Sequence, residues 1–493
     1  MTATPFSVRV RHAVVEQTER TRQSSKADIE RLIEESESRI VSLGELRERE
    51  RACVAALKYL ISPIRTLPVE LLVEIFGLAI HDDTHIQDAF RISHVCSDWR
   101  RAAHGTPGLW TRAIHVNTPA IDSDEVYADG LQNWLARSAP LPVPITWCET
   151  EREISCRSSE EVLRIAPRWR SFEAKPKSPL WLVKKFAQCN LESLEELSLD
   201  IPSVDPGTVL SFTVPRLRKL GLYINSDPLP ILVMPWAQLA DFTFNCSSHC
   251  SQPDIAFDVL AQCPNLSRAS VCTGPLSPRA GKHTLVLSHL RALSVHFSRP
   301  AGHAANNGAS FLDNLSAPVL EEVCLHFGNL MSHSTPGTEV HWTEAHFPAF
   351  QLRTPNLTAL ELHFSKLTSD DLMTVLHHTP CLERLTLRYC RHCFDDALIG
   401  ALCYQDGVQL LVPHLHSLDL DGITINKQSA DIFVSMLASR WWTDAEAISH
   451  LVPPAVTRWT RVGYRSFGRR RSQTGFWALM RDLERKGLPL KWY

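Results

Sequence analysis

Residues 382–390 read Leu-Glu-Arg-Leu-Thr-Leu-Arg-Tyr-Cys, with leucines at positions 382, 385 and 387. Apolar and polar side chains alternate through the second half of this stretch, which predicts a short β-strand with one buried face. The same pattern, apolar-x-x-apolar-x-apolar, returns in eight more copies, some of them weaker. These copies begin at Leu194, Leu217, Leu239, Leu266, Leu290, Leu320, Leu357 and Leu415. Such recurrence predicts a repeat architecture.

The spacing between the copies indicates which repeat architecture to expect. Successive copies begin 22 to 37 residues apart, and the shorter spacings fall in the range of leucine-rich repeats. Helix-like segments such as 369–376 and 395–402 lie between the predicted strands. The predicted fold class is therefore α/β, with an irregular leucine-rich-repeat solenoid over residues 161–465 whose stacked units share one core. A β-rich or α/β domain of another kind is the alternative.

Weaker signals surround the regular copies. Trp169, Phe172 and Ala174 form an early copy, and residues 113–160 are predicted to lead into the array. Residues 466–493 contain a helix pattern, a glycine stop and a final strand, which would cover the last repeat.

Three long inserts interrupt the array and are rich in Gly, Ser, His and Asn. They cover residues 273–288, 298–318 and 327–355. We expect them to emerge as surface loops, which leaves open whether they are solvated decorations or part of a binding face.

The N-terminal 60 residues contain a polar segment and then a charged helix. Residues 1–26 are polar and are predicted to be disordered. Residues 27–62 place apolar side chains at helical spacing, with Glu and Arg between them. Two interpretations stay open for this helix: it folds against its own chain, or it forms a homodimeric coiled coil with weak self-association through residues 28–60.

Residues 63–112 predict a compact unit of three short helices. Such a unit is too small to hold an ordinary core alone, so it should bury apolar surface against a partner, against the rest of the chain, or both. Three short motifs occur in order within it: Leu67-Pro68-x-Glu70-Leu71-Leu72-x-x-Ile75-Phe76, Val95-Cys96-x-x-Trp99-Arg100 and Thr106-Pro107-x-Leu109-Trp110.

Together these motifs resemble an F-box, and the chain is similar to the F-box-like proteins that are numerous in mushroom-forming fungi. The resemblance implies packed helices that bind the small Skp adaptor of cullin-RING ubiquitin ligases, and through it a cullin. By position it implies an interface in or beside Leu67, Pro68, Leu71, Leu72, Ile75 and Phe76, with Val95, Cys96 and Trp99 as support and part of the contact. The segments around Cys263 and Cys390 resemble the cysteine-containing repeat of many F-box proteins.

Composition and the absence of certain motifs argue against several other kinds of partner and activity. A net charge of −3 gives no indication of nucleic acid or an anionic membrane as a partner. The N-terminus lacks a signal peptide and no apolar run would span a bilayer, so we expect a cytoplasmic or nuclear protein with reduced cysteines. Catalytic and cofactor motifs are missing, and the pair Cys390 and Cys393 is interpreted as structural rather than as a zinc site. We therefore expect no enzyme activity, no cofactor and no metal.

The sequence thus predicts a substrate-recognition adaptor of a cullin-RING ligase. The F-box would bind the Skp adaptor and the repeats would bind a target protein that the sequence does not identify. The alternative is a leucine-rich-repeat scaffold without ligase association.

Overall fold

The computed structural model describes residues 9–12, 14–15, 26–82, 84–116, 124–148, 157–174, 180–205, 207–224, 230–246, 254–273, 284–297, 310–327, 346–365, 367–390, 392–405, 410–425, 429–442, 456–465 and 474–492. The chain divides into two compact units, residues 1–106 and 107–493.

The first unit is helical. A short 3₁₀ turn, Pro63–Thr66, separates its long first helix from the three helices that follow. The helices are α1 (Lys26–Leu60), α2 (Val69–Ala79), α3 (His85–His94) and α4 (Ser97–His104). The last three are the short helices that the sequence predicts for residues 63–112.

Helix α1 is almost wholly exposed. Among its described side chains none is buried, and Ile40, Leu43 and Leu57 are each more than half exposed. Packing of this helix against its own chain would bury one of its faces, so the exposure of these side chains gives that interpretation no support. The predicted disordered segment 1–26 lies mostly outside the described residues, although residues 9–12 and 14–15 are helical.

A parallel β-sheet dominates the second unit. Its fourteen described strands follow chain order and pair parallel throughout, which is compatible with a solenoid. In order they are β1 (Ile114–Val116), β2 (Val143–Trp147), β3 (Trp169–Ala174), β4 (Glu196–Ile201), β6 (Lys219–Ile224), β8 (Asp241–Cys246), β9 (Arg268–Thr273), β11 (Ala292–Phe297), β13 (Glu322–His326), β14 (Ala359–His363), β15 (Arg384–Arg388), β16 (Ser417–Asp421), β17 (Arg461–Arg465) and β18 (Leu490–Trp492).

Two further strand pairs form small parallel sheets beside it, β5 (Val209–Ser211) with β7 (Ile231–Val233), and β10 (Leu285–Val286) with β12 (Leu315–Ser316). Helices fill many of the crossovers, as parallel pairing requires. They are α5 (Asp124–Arg137), α6 (Arg157–Arg164), α7 (Leu180–Gln188), α8 (Asp254–Ala261), α9 (Ser310–Asp313), α10 (His346–Leu352), α11 (Ser369–His377), α12 (Asp396–Leu402), α13 (Ser429–Ser439) and α14 (Thr474–Arg485).

Each repeat motif places its apolar side chains on the buried face of the sheet. All the motif residues from Leu194 to Leu420 are buried, and equivalent positions lie opposite each other in the register. Leu385 of β15, for example, pairs with Leu360 of β14 and with Leu418 of β16. Stacked layers of this kind give every strand the same apolar neighbours, which explains why the leucine pattern recurs.

A proline turn precedes many of these strands. Proline stands two residues before the first leucine of six copies: Pro215, Pro264, Pro318, Pro355, Pro380 and Pro413. In five of these copies the amide of that leucine donates to the carbonyl three residues earlier, as Leu382 does to Thr379 at 3.1 Å. This is the geometry of a β-turn with proline at its second position. The turn sets the point at which each strand begins.

Parts of the predicted linking region and inserts are more ordered than expected. Residues 113–160 supply β1 and β2 to the main sheet, and Trp147 is fully buried. The described ends of the inserts carry α9, α10, β10 and β12, with Phe311 and Phe350 fully buried. These ends are therefore not surface loops; the central parts of the three inserts lie outside the described residues.

The C-terminal elements follow the predicted order of helix, glycine and strand. Helix α14 ends before Gly487, whose φ of 92° is a conformation that glycine adopts without strain. Strand β18 then pairs with β17 at the end of the sheet. Within the described part of the chain, no helix combines the length and the apolarity that crossing a membrane requires.

Candidate docking surface

Helix α2 begins at a proline. Pro68 occupies the N-cap position with a ψ of 147°, and its carbonyl accepts the first helical hydrogen bond from Leu72 at 3.1 Å. Proline has no N–H to leave unsatisfied there, and Glu70 in the first turn complements the helix dipole. The half-buried Leu67 precedes it. The sequence thus fixes where the helix starts and which faces its side chains take.

One face of α2 packs inside the helical unit. Phe76 is 1% exposed, and its ring centroid lies 4.9 Å from that of Trp99 on α4, at an interplanar angle of 56°. Leu72, one turn earlier, is also buried. Aromatic pairs in this tilted arrangement add about 0.5–1.5 kcal/mol beyond the burial of their area. The contact between Phe76 and Trp99 holds α2 against α4.

A neighbouring face of α2, about a quarter to a third of a turn away, carries an exposed apolar stripe, which we define as Leu71, Ile75 and Leu78. Their exposed fractions are 52%, 40% and 82%. Positions i, i+4 and i+7 lie on one side of a helix, so the three side chains form a continuous strip. Val69, in the first turn but on another side of the helix, is half exposed as well. An apolar strip of this kind on a short helix is the usual shape of a helical docking surface.

A carboxylate fixes the polar linker between α2 and α3. Asp88 accepts hydrogen bonds from the Thr84 hydroxyl at 2.6 Å and from the His81 amide at 3.3 Å. The Thr84 hydrogen bond, with help from the His81 amide and Arg91, lowers the pKa of Asp88. The linker therefore leaves α2 in one defined direction despite its polar composition.

Helix α4 begins at a cysteine cap. The Cys96 Sγ accepts from the Trp99 amide at 3.5 Å, and Val95 beside it is exposed. Arg100 then donates from Nε to the Ser93 carbonyl at 3.0 Å, which ties α4 to the end of α3. The second motif thus builds the α3–α4 corner and leaves one apolar side chain, Val95, facing outward.

The third motif contributes to the sheet-containing unit. Leu109 and Trp110 are buried in a 3₁₀ turn, Pro107–Trp110, just before β1. The Trp110 ring packs edge-on against Trp134 of α5 with centroids 4.8 Å apart, and the Arg137 guanidinium lies 4.8 Å from its centroid.

The structure separates the predicted site residues into two groups. Leu71, Ile75, Pro68 and Val95 are exposed, whereas Leu72 and Phe76 are buried and Leu67, Cys96 and Trp99 are partly buried. The sequence pattern predicts one broad apolar face made of Leu71, Leu72, Ile75, Phe76 and Ala79. In the structure this set is divided, because the helix rotation exposes Leu71 and Ile75 and buries Leu72 and Phe76. Leu78 was missed, although its spacing of seven from Leu71 was a usable signal.

A second surface lies on the side of the sheet opposite its core, and we call it the open face. Its side chains alternate with the buried leucines and form ion pairs across strands, such as Arg461 Nη2 to Asp419 Oδ2 at 3.0 Å and Arg388 Nε to Glu361 Oε1 at 3.3 Å. Gly463 faces Asp419, and a Cβ added there would lie 2.8 Å from Oδ1. A groove of about 580 Å³ runs over β8 to β17 on this face.

Residues 64–114 match the F-box-like family. The matched segment begins in the 3₁₀ turn before α2, contains all three short helices and ends at the first residue of β1. Domains of this family generally bind the Skp adaptor within cullin-based ubiquitin ligases, which supports an adaptor role at that general level. No curated protein matches the chain.

Proposed function

We propose that this protein is a substrate-recognition adaptor of a cullin-RING ubiquitin ligase, and that the stripe of Leu71, Ile75 and Leu78 binds the Skp adaptor. The carrying observation is the match of residues 64–114 to the F-box-like family together with this exposed stripe. Leu67, Pro68 and Val95 lie in or beside the contact. Leu72, Phe76, Cys96 and Trp99 support it from beneath.

The sheet-containing unit holds the target in this proposal. Nine motifs with buried leucines and polar open-face positions support interpreting it as leucine-rich repeats. Stacked repeats present extended surfaces on which many side chains vary without disturbing the core. The open face offers such a surface, with charged residues of both signs.

The adaptor needs no catalytic residue for this role. It raises the effective concentration of the target near the ligase subunits that transfer ubiquitin, so its contribution is proximity. Such a role places the protein in the cytoplasm or the nucleus.

The test is binding of the full chain to a recombinant Skp adaptor in complex with its cullin. We expect the unmodified chain to co-elute with this complex and the Leu71→Asp, Ile75→Asp double variant to lose it. Val126→Asp is the matched control, since Val126 is 78% exposed on α5, outside the matched segment. Failure of the unmodified chain to bind would favour a scaffold without ligase association. Intact binding by the double variant would contradict the proposed interface.

A further inference from the structure

Three histidines stack on neighbouring strands of the open face. His296 of β11, His326 of β13 and His363 of β14 lie opposite each other in the parallel register. The ring centroids of His296 and His326 are 4.0 Å apart, and those of His326 and His363 are 3.8 Å apart. Strand pairing therefore brings three imidazole rings into contact, and imidazole is the commonest metal ligand in proteins.

Sulfur and carboxylate groups stand beside these rings. The Cys324 Sγ lies 3.2 Å from Nε2 of His326, and Glu361 Oε1 lies 2.7 Å from Nε2 of His363. One ligand atom from each of Cys324, His326 and His363 lies within 4.8 Å of the other two. Cys324 and His326 are two positions apart on β13, while β14 brings His363 alongside. The register therefore assembles a thiol and two imidazoles from two strands.

The surroundings resemble those of a metal site more than those of an ordinary polar surface. His363 is buried, and Cys324 and His326 are partly buried. Within the described part of the chain, the buried Nδ1 of His326 has no hydrogen-bond partner. Its other ring nitrogen, Nε2, lies 3.2 Å from the Cys324 Sγ and is the one placed to share a metal with the thiol.

We infer that Cys324, His326 and His363 bind a divalent transition metal of zinc-like softness. A thiolate and imidazoles are the ligands that zinc prefers, whereas magnesium and calcium require oxygen atoms. Tetrahedral zinc with the usual bond lengths separates a sulfur and a nitrogen ligand by about 3.5 Å, close to the observed 3.2 Å. The fourth position is left to solvent.

The proton balance of binding is simple. The thiol of Cys324 loses its proton to solvent as the metal–sulfur bond forms, and both imidazoles bind as neutral ligands. Glu361 remains the group that orients His363, as carboxylates commonly do for metal-bound histidines. The ion would join β13 to β14 across the open face. This inference does not depend on the proposed ligase role.

Cobalt titration of the chelator-treated full chain tests the site, because Co²⁺ adopts zinc geometry and is coloured. We expect one equivalent to saturate a thiolate-to-cobalt charge-transfer band, with Zn²⁺ abolishing the band by displacement. Cys324→Ser should remove the band, and His326→Asn or His363→Asn should weaken cobalt affinity at least about tenfold. Cys272→Ser is the matched control, since Cys272 lies on the same face two strands away on β9. It should change nothing.

X-ray absorption on the unmodified protein loaded with one equivalent of Zn²⁺ gives a result that does not depend on how the variants fold. The inference requires one sulfur scatterer at about 2.3 Å together with nitrogen or oxygen ligands at about 2.0–2.1 Å. A shell without sulfur would overturn it. So would a cobalt band that persists in a folded Cys324→Ser variant, or the lack of any saturable band in the unmodified chain.

Discussion

Truncating the exposed side chains of α2 should weaken binding of the Skp adaptor, whereas truncating the buried ones should lower the folding stability. The exposed variant is Leu71→Ala with Ile75→Ala, and the buried variant is Leu72→Ala with Phe76→Ala. Both pairs lie on the same two turns of one helix and remove similar apolar groups. Their effects should differ only because Phe76 packs on Trp99 while Ile75 faces outward.

The expected loss of binding free energy follows from the exposed fractions of the two side chains. Complete burial of a leucine or isoleucine side chain is worth about 1.5–3 kcal/mol. Leu71 is 52% exposed and Ile75 is 40% exposed, so covering both fractions contributes about 1.4–2.8 kcal/mol to binding. That corresponds to a roughly tenfold to hundredfold weaker Kd for the exposed variant. The buried variant should instead lose about 2–5 kcal/mol of folding free energy for each truncated side chain.

Calorimetric titration with the Skp adaptor and thermal unfolding of the same samples measure the two effects separately. The exposed variant should unfold within about 2 °C of the unmodified chain, since surface substitutions change stability by less than about 0.5 kcal/mol. Two results would refute the reasoning. One is an exposed variant whose Kd changes by less than about threefold, or roughly 0.7 kcal/mol. The other is a buried variant that keeps its stability.

Two further predictions concern other surfaces. Sedimentation of the full chain should show a dimer whose fraction rises with concentration. The double variant Ile40→Asp, Leu43→Asp should raise the dimer dissociation constant at least about tenfold, because these exposed apolar side chains of α1 have the spacing of a coiled-coil interface. A monomer at all concentrations would contradict this. Gly463→Ala should destabilise the protein by about 1 kcal/mol, because its new Cβ displaces the Asp419 carboxylate from Arg461. Thermal unfolding should show that this cost disappears in an Asp419→Ala background, and an equal cost in both backgrounds would exclude the mechanism.

The sequence predicts the strands of the sheet well because the same physical requirement acts in every repeat. Leu382, Leu385 and Leu387 each fill a layer that neighbouring strands also fill, so the pattern survives variation at the positions between them. Strand β1 was missed because its three residues are too few to show an alternation.

The two candidate sites were harder to predict, because one depends on how helix α2 is rotated and the other on which residues of neighbouring strands lie side by side. Leu71 and Leu72 are adjacent and chemically identical, and only the helix rotation that Phe76 and Trp99 fix makes one exposed and the other buried. His363 follows His326 by 37 residues, and most of the sequence between them is an insert that the other repeats do not share. The closeness of their rings comes from the pairing of β13 with β14, which local sequence patterns do not encode.

The position of Trp110 has a consequence for protein engineering. The F-box-like match runs to residue 114, yet the compact units divide between Thr106 and Pro107, and Trp110 packs on Trp134 within the second unit. A chimera cut at the end of the match would carry Trp110 away from its neighbours and expose Trp134 in the remaining half. A fusion that exchanges the sheet-containing half should therefore join after Thr106. Leu109 and Trp110, the buried residues of the third motif, then stay in the same half as Trp134.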